Sequence, residues 1–145
     1  MPESFHDFPV MALHIRDFRQ SDTAELSRLC ETGRFIGALP AQDTASRILA
    51  GVRKECLTAA IWISFEDGKG TIPAIIAAQT ETWTSDVHEL LAEASLWLTS
   101  RGAARIDLFA IPEDRDLLAA LLQMDFKADN RTGMMRRVIP ARSAA

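Results

Sequence analysis

The sequence predicts one α/β domain, a mixed β-sheet with helices on both of its faces. Three observations lead to this prediction: helical and alternating periodicities follow one another along the chain, a helix–strand–helix unit spans residues 84–126, and no internal repeat divides the sequence. The 145 residues are 48% hydrophobic and 25% charged, which is the composition of one soluble domain with room for a core. We expect residues 11–139 to form this domain, residues 1–10 to be an irregular leader and residues 140–145 to be a tail.

The first elements are predicted to be a strand and a capped helix. Residues 13–18 alternate apolar and polar side chains, as a half-buried strand does. Asp22 followed by Glu25 has the spacing of a capping box, and we expect the helix that they start to end at Gly33.

A second helix is predicted after a link that covers residues 34–42. Asp43 or Thr44 would cap it. Its apolar stripe would consist of Ala45, Ile48, Leu49 and Val52.

Two antiparallel strands are predicted next, because the period changes from helical to alternating between residues 56 and 84. The stretch Asp67-Gly68-Lys69-Gly70 supplies residues that tolerate positive φ, as a tight hairpin requires. The second strand becomes polar from Gln79 as it approaches the next helix.

An amphipathic helix then organises the rest of the chain. Asp86 and Glu89 repeat the capping-box pattern, and apolar residues recur at helical spacing after them. Arg101 and Gly102 supply a cation and a flexible residue where the helix is expected to stop.

A buried strand, a further helix and a strand pair complete the predicted order. Residues 105–111 are apolar on most of both faces of a strand. A helix is predicted over residues 114–124, and terminal strands over residues 126–128 and 134–139.

Charge and composition exclude several classes of function. A net charge of −4 argues against nucleic acid or an anionic membrane as the main partner, because both need a concentrated basic surface. No apolar run has transmembrane length and no leader has the pattern of an export signal, so the cytoplasm is the expected location. Cys30 and Cys56 are too few for a disulfide framework. His6, His14 and His88 lie far apart in sequence, and no metal site is predicted.

Four stretches in this order resemble the GNAT family of N-acetyltransferases. They are residues 15–18 before a capped helix, 96–103 with a Trp and an Arg-Gly step before an apolar strand, 121–126, and 133–137 with Met beside arginine. The resemblance covers about residues 11–139. It implies the acyl-CoA N-acyltransferase fold, acetyl-CoA as cofactor, and an amine on a small molecule or a peptide as substrate.

The sequence departs from the family where the family is most specific. The motif Arg/Gln-x-x-Gly-x-Gly/Ala, whose backbone amides bind the pyrophosphate of acetyl-CoA, would fall at residues 81–87, which contain neither glycine nor a basic residue. The Asp86 carboxylate is expected either to occupy the position where the pyrophosphate would bind or to repel the pyrophosphate from it. The tyrosine that often serves as acid is absent from the whole chain. The hairpin region is predicted to have one strand fewer than the usual three, either because the domain is trimmed or because two strands are counted as one.

The resemblance nevertheless implies a set of site residues. Those expected to bind the cofactor are Gln79, Thr80, Thr82, Thr84 and Ser85. Glu81 matches by topology the carboxylate that acts as general base, and burial would raise its pKa for that role; the alternative is a solvated glutamate at a strand end. His88 could relay protons, or be an ordinary histidine on a helix surface.

Two functions from different classes follow. The first is an acyl-CoA-dependent N-acetyltransferase with a degenerate phosphate loop. The second is a GNAT-shaped binding or assembly module that has lost acetyl-CoA and pairs, for example as a homodimer, through a sheet edge or through Trp83. A sensor for an uncharged small molecule is a third. Trp83 is expected to be the most exposed of the three tryptophans, and its role is left open between packing and contact with a ligand or partner.

Overall fold

The computed structural model describes residues 13–39 and 47–140, and within them it contains eight strands and three α-helices. The strands are β1 (His14–Asp17), β2 (Arg34–Gly37), β3 (Arg47–Arg53), β4 (Cys56–Glu66), β5 (Lys69–Ala77), β6 (Arg105–Leu108), β7 (Lys127–Asp129) and β8 (Met134–Val138). The helices are α1 (Thr23–Thr32), α2 (Trp83–Ser100) and α3 (Arg115–Gln123).

All strands belong to one mixed sheet with the order β1-β3-β4-β5-β6-β8-β7. The β5–β6 pair is parallel and joins Lys69–Ile72 to Arg105–Leu108, whereas the other described pairs are antiparallel. Strand β2 lies off this path and pairs with Ala74–Ala77 of β5. Since β4 takes one edge of β5, the other edge is shared between β6 and β2.

The two faces of the sheet carry two separate cores, which confirms the predicted fold class. On one face α1 packs through Leu29 against a small cluster that includes Trp62 and Ile76. On the other face α2 and α3 cover a larger cluster, in which Leu98 and Leu117 are fully buried. The hairpin between β4 and β5 also forms as predicted, with positive φ at Asp67 and Gly68.

The predicted second helix is wrong over its described part, because residues 47–53 form strand β3. Ala50 is fully buried and pairs with both Arg16 of β1 and Ala60 of β4. A Cβ added to Gly51 would lie 3.1 Å from Leu13 and 3.2 Å from Ala59, so the small residues fit between neighbouring strands. The expected cap residues Asp43 and Thr44, with Ala45, lie outside the described residues.

Strand β3 also supplies the strand that the hairpin region was expected to lack. Strands β3, β4 and β5 form a continuous antiparallel meander, so the usual number of three is present. The short count came from reading β3 as a helix. The predicted link over residues 34–42 likewise contains strand β2 in its described part.

The predicted carboxyl ends of helices α1 and α2 are confirmed, whereas their predicted amino-terminal caps are not. Helix α1 ends before Gly33 and α2 ends before Arg101, as expected. Helix α3 is capped by Asp114, whose carboxylate accepts a hydrogen bond from the Leu117 amide at 3.0 Å. The capping boxes expected at Asp22 and Asp86 are wrong: neither carboxylate caps its α-helix, and α2 begins at Trp83, four residues before the start that a cap at Asp86 would give.

Candidate functional site

The amino end of α2 keeps unpaired amides. The Trp83 amide donates to Thr80 O at 3.1 Å, and the Asp86 amide donates to Thr82 O at 2.8 Å. Between them, the amides of Thr84 and Ser85 donate to no group in the described part of the chain. Free amides in the first turn of a helix carry a positive partial charge and bind anions.

The Asp86 carboxylate does not accept hydrogen bonds from these amides, because it points into the protein. The residue is 1% exposed. It accepts hydrogen bonds from Arg53 at 2.6 Å and 3.2 Å and from the Thr82 hydroxyl at 3.2 Å. The hydrogen bond to Asp86 raises the pKa of Arg53, so the two groups form a buried ion pair. The negative charge that was expected to repel an anion is therefore balanced by a cation from β3.

A cleft of about 350 Å³ lies beside this helix end. Its lining residues are Arg53, Lys54, Thr58, Ala78, Thr80, Glu81, Thr82 and Asp86. The structure thus brings together three of the residues that the sequence predicted, with two cations that it did not. Glu81 is exposed, so the burial that was expected for a base at this place is absent, and its role as a base stays a prediction.

The other predicted site residues lie outside this cleft. Gln79 is exposed, and its amide side chain donates to Thr32 O at 3.2 Å, at the end of α1. Thr84 and Ser85 lie on the first turn of α2, where the Ser85 hydroxyl donates to Thr82 O at 3.1 Å. His88 lies one turn further on and is half-buried. The predicted set therefore surrounds the helix end rather than lining one pocket.

A second cleft, of about 250 Å³, borders the helix end at Trp83. It lies between β2 and the loop of residues 110–114. The Arg34 guanidinium stacks on the Trp83 ring there, with Cζ 4.2 Å from the ring centroid. Its Nη1 is 3.9 Å from Asp114 Oδ2. Sequence reasoning missed Arg34 because residues 34–37 were read as part of a link, in which a lone arginine has no pattern.

Trp83 is buried, and the expectation that it would be the most exposed tryptophan is wrong. Only 5% of it is accessible. The indole N–H donates to Arg34 O at 3.2 Å, and the ring belongs to the larger core. A partner surface built on an exposed Trp83 is excluded in this conformation.

The edge of β5 nearest the site is filled by the chain itself. Beyond Ile72, where β6 ends its pairing, Ala74–Ala77 pair with Gly37–Arg34 of β2. Gly37 has φ of 80°, and a Cβ added to it would lie 2.2 Å from Pro73 O. The close fit at Gly37 therefore depends on the absence of a side chain.

Neither metal ligation nor a membrane span is indicated by the residues that the structure describes. Their histidines, cysteines and acidic residues form no group of three or more that could hold a metal ion. Within the same ranges, no helix has both the length and the apolar character that crossing a membrane requires.

Solved structures with the same architecture are N-acetyltransferases. The PaiA N-acetyltransferase of Thermoplasma acidophilum, solved with coenzyme A, is 12% identical and has a TM-score of 0.68, over 89% of this chain and 100% of that one. A GNAT family acetyltransferase of Brucella melitensis in complex with acetyl-CoA is 16% identical, with a TM-score of 0.65 over 90% of each chain. The ribosomal-protein-S18-alanine N-acetyltransferase of Escherichia coli is 12% identical, with a TM-score of 0.65 over 92% of this chain and 99% of that one.

No protein-family model matches the sequence, and no curated protein matches it. At these low identities the structural likeness establishes the fold. The chain has the GNAT acyl-CoA N-acyltransferase fold, as its sequence predicted.

Proposed function

We propose that this GNAT-fold chain is an N-acetyltransferase that takes its acyl group from acetyl-CoA and transfers it to an amine of a small molecule or a peptide. The observation that carries the proposal is that two amides at the amino end of α2, those of Thr84 and Ser85, have no partner among the described residues. The fold supports it, since similar structures over about nine-tenths of the chain are N-acetyltransferases with coenzyme A or acetyl-CoA bound.

The phosphate end of coenzyme A fits this helix end. Two free amides and the local helix dipole favour a pyrophosphate, and the charge of Asp86 is balanced by Arg53. The Arg34 guanidinium stacks on the ring of Trp83, the first residue of the same helix, and lies 3.9 Å from Asp114 Oδ2. In this proposal these groups bind the pyrophosphate in place of the glycines and the basic residue of the family loop.

The arm of acetyl-CoA that carries the acyl group, called the acyl arm below, would find backbone partners along part of its length only. The amides of Gln79 and Glu81 donate to no described group, so an amide-bearing arm could pair there as predicted. Further along, β2 already pairs with Ala74–Ala77. When bound, the cofactor would supply an acyl group activated as a thioester.

Glu81 is the proposed base for the amine. It lines the cleft with Arg53 and Lys54 and is exposed to solvent. A carboxylate at this place can accept the proton of an ammonium group, directly or through one water.

Thermal unfolding with and without coenzyme A tests the proposal. A ligand that binds only the folded state raises the melting temperature by mass action, and Ser85→Glu should abolish this rise by placing a negative charge at the free amides. Glutamate is favoured at this position of a helix, so the variant should be as stable as the wild type without ligand. Leu96→Glu, at a 65% exposed position in the middle of α2, is the matched control and should keep the rise. No rise for the wild type at millimolar coenzyme A would refute the proposal.

The second candidate function is a module of this fold that binds no acyl-CoA. One observation favours it: β2 fills the edge of β5 that an arm would otherwise extend along. It predicts that the melting temperature of the wild type does not respond to coenzyme A. A homodimer stays a prediction for this module, and sedimentation of the purified chain would test it.

A further inference from the structure

We infer that β2 is a displaceable strand that competes with the acyl arm for the edge of β5, and that Trp83 is the latch that holds it. The inference rests on the proposed function, because it concerns how acetyl-CoA gains access to its site. It assigns roles to Arg34, Gly37 and Trp83 that the family motif does not contain.

The first step is the limited hydrogen-bonding capacity of β5. A strand has two edges, and β4 takes one of them along Ala59–Trp62. On the other edge β6 pairs only as far as Ile72, and β2 pairs with Ala74–Ala77. An extended arm that runs from the phosphate end past Gln79 meets Ala77 next. It can continue along β5 only where β2 has left.

The second step is that β2 pairs on one side only, although Ile36 is buried in the larger core and Phe35 packs against the smaller one. The strand has four residues, and β5 is its one partner strand among the described residues. Local opening of one short strand requires less free energy than global unfolding. One backbone bond beyond the strand, from the Ala38 amide to Pro73 O at 3.2 Å, extends the pairing.

The third step is the contact between β2 and the helix end. Trp83 donates its indole N–H to Arg34 O, and the Arg34 side chain covers the same ring. Trp83 is the first residue of α2, so the latch and the free amides lie on the same turn. A phosphate bound at this turn would attract the Arg34 guanidinium and so loosen β2 at its first residue.

Coenzyme A binding to variants of β2 tests the inference. Gly37→Ala should displace β2, because the new Cβ would lie 2.2 Å from Pro73 O. If the closed strand keeps most molecules from binding, this variant should bind coenzyme A about tenfold more tightly in calorimetry than the wild type. Gly68→Ala is the matched control, because Gly68 also has positive φ but has nothing within 4 Å of the added Cβ. Its affinity should equal that of the wild type.

A second variant keeps the test decisive if Gly37→Ala does not fold. Trp83→Phe keeps an aromatic ring at this place, and it loses the indole donor to Arg34 O together with part of the ring on which Arg34 stacks. It should tighten coenzyme A binding in the same direction and by less. Hydrogen exchange gives a readout without ligand: the amides of β2 should exchange faster in Trp83→Phe than in the wild type, while those of β4 keep their rates.

The possible results separate this inference from the proposed function. Tighter binding by Gly37→Ala and Trp83→Phe, with faster exchange in β2 when coenzyme A is added to the wild type, supports both. Equal affinities in wild type and folded variants, with β2 exchange unchanged by coenzyme A, overturn the displaceable strand and leave the proposed function standing. Absence of binding in every folded variant overturns the proposed function and this inference with it.

Discussion

Asp22 and Asp86 are buried carboxylates that arginines from neighbouring strands neutralise. Asp22 is 5% exposed and accepts two hydrogen bonds from Arg16 of β1, at 2.8 Å and 2.9 Å. Asp86 is held in the same way by Arg53 of β3. Both carboxylates thus form charge-assisted hydrogen bonds with a guanidinium, and that of Asp22 also accepts from the Arg19 amide at 2.8 Å. At Asp86 this arrangement leaves the amides of α2 free for a ligand.

The Asp22 pair should make the stability of the fold depend on pH. The pKa of Asp22 is lowered from 3.8 to about 2, chiefly because Arg16 donates to its carboxylate and further because the Arg19 amide does. A depressed folded pKa stabilises the protein above pH 3.8, and this contribution is lost as the pH falls through about 2. Between pH 5 and pH 2 the wild type should therefore lose roughly 1–2 kcal/mol more unfolding free energy than Asp22→Asn.

Urea unfolding of the two proteins across this pH range measures the difference. Glu93→Gln, at an exposed position in the middle of α2, serves as the control and should follow the wild type. Parallel pH curves for the wild type and Asp22→Asn would show that the Arg16 contact does not lower the pKa of Asp22.

At the scale of elements, β5 and α2 approach each other closely at one glycine. A Cβ added to Gly70 would lie 2.7 Å and 2.8 Å from the two methyl carbons of Leu98, which is fully buried. Gly70→Ala should therefore destabilise the fold by about 1–3 kcal/mol through overpacking. Leu98→Ala should cost about 2–5 kcal/mol through the cavity that it leaves.

Double variants test whether Gly70 and Leu98 are in direct contact or whether each substitution destabilises the fold independently. Since the alanine methyl would fill part of the cavity, Gly70→Ala with Leu98→Ala should cost less than the sum of the two. Gly70→Ala with Leu91→Ala should be additive, because Leu91 is buried in the same helix but is not among the nearest neighbours of Gly70. Additivity in both pairs, measured by urea unfolding, would contradict the close approach.

Elements with a strong local signal could be predicted from the sequence, and elements defined by their neighbours could not. Helix α2 and the β4–β5 hairpin carry their own periodicity and stop or turn residues, so local physics identifies them. Strand β3 has apolar residues that suit either period, and only its two partner strands decide between them. Strand β2 is four residues long and exists because β5 has a vacant edge. No periodicity can show that.

The same distinction applies to the candidate site. Thr84 and Ser85 could be placed at a helix start because the amphipathic pattern begins near them. Arg34 and Arg53 could not be assigned, because each reaches the helix end from a strand that the sequence did not reveal. Trp83 was expected at the surface on account of its polar neighbours, and it is buried because β2 covers it.

At the scale of the whole molecule, the sheet consists of two halves that meet at a short parallel ladder. The antiparallel meander β1-β3-β4-β5 joins the terminal strands β6-β8-β7 through Lys69–Ile72 and Arg105–Leu108. Asp107, fully buried on β6, lies at this junction. Its carboxylate accepts a hydrogen bond from Arg136 of β8 at 2.7 Å. Nε of Arg105, on β6 itself, and Nζ of Lys69, on β5, lie 3.4 Å and 3.9 Å from the Asp107 Oδ2 atom. One carboxylate thus offsets three cations from three adjacent strands.

Removal of this charge should weaken the whole sheet and make its stability depend on salt. Asp107→Asn leaves three cations close together without their counter-charge, and breaking a buried ion pair costs about 3 kcal/mol. Because the cations are partly exposed, added salt should screen their repulsion and recover part of the loss. Urea unfolding at low and at high ionic strength should therefore show a larger difference from the wild type at low salt, with Glu93→Gln, exposed in the middle of α2, nearly unaffected at both. A loss of equal size at both ionic strengths would mean that Asp107 acts through its hydrogen bond to Arg136 and not through its charge.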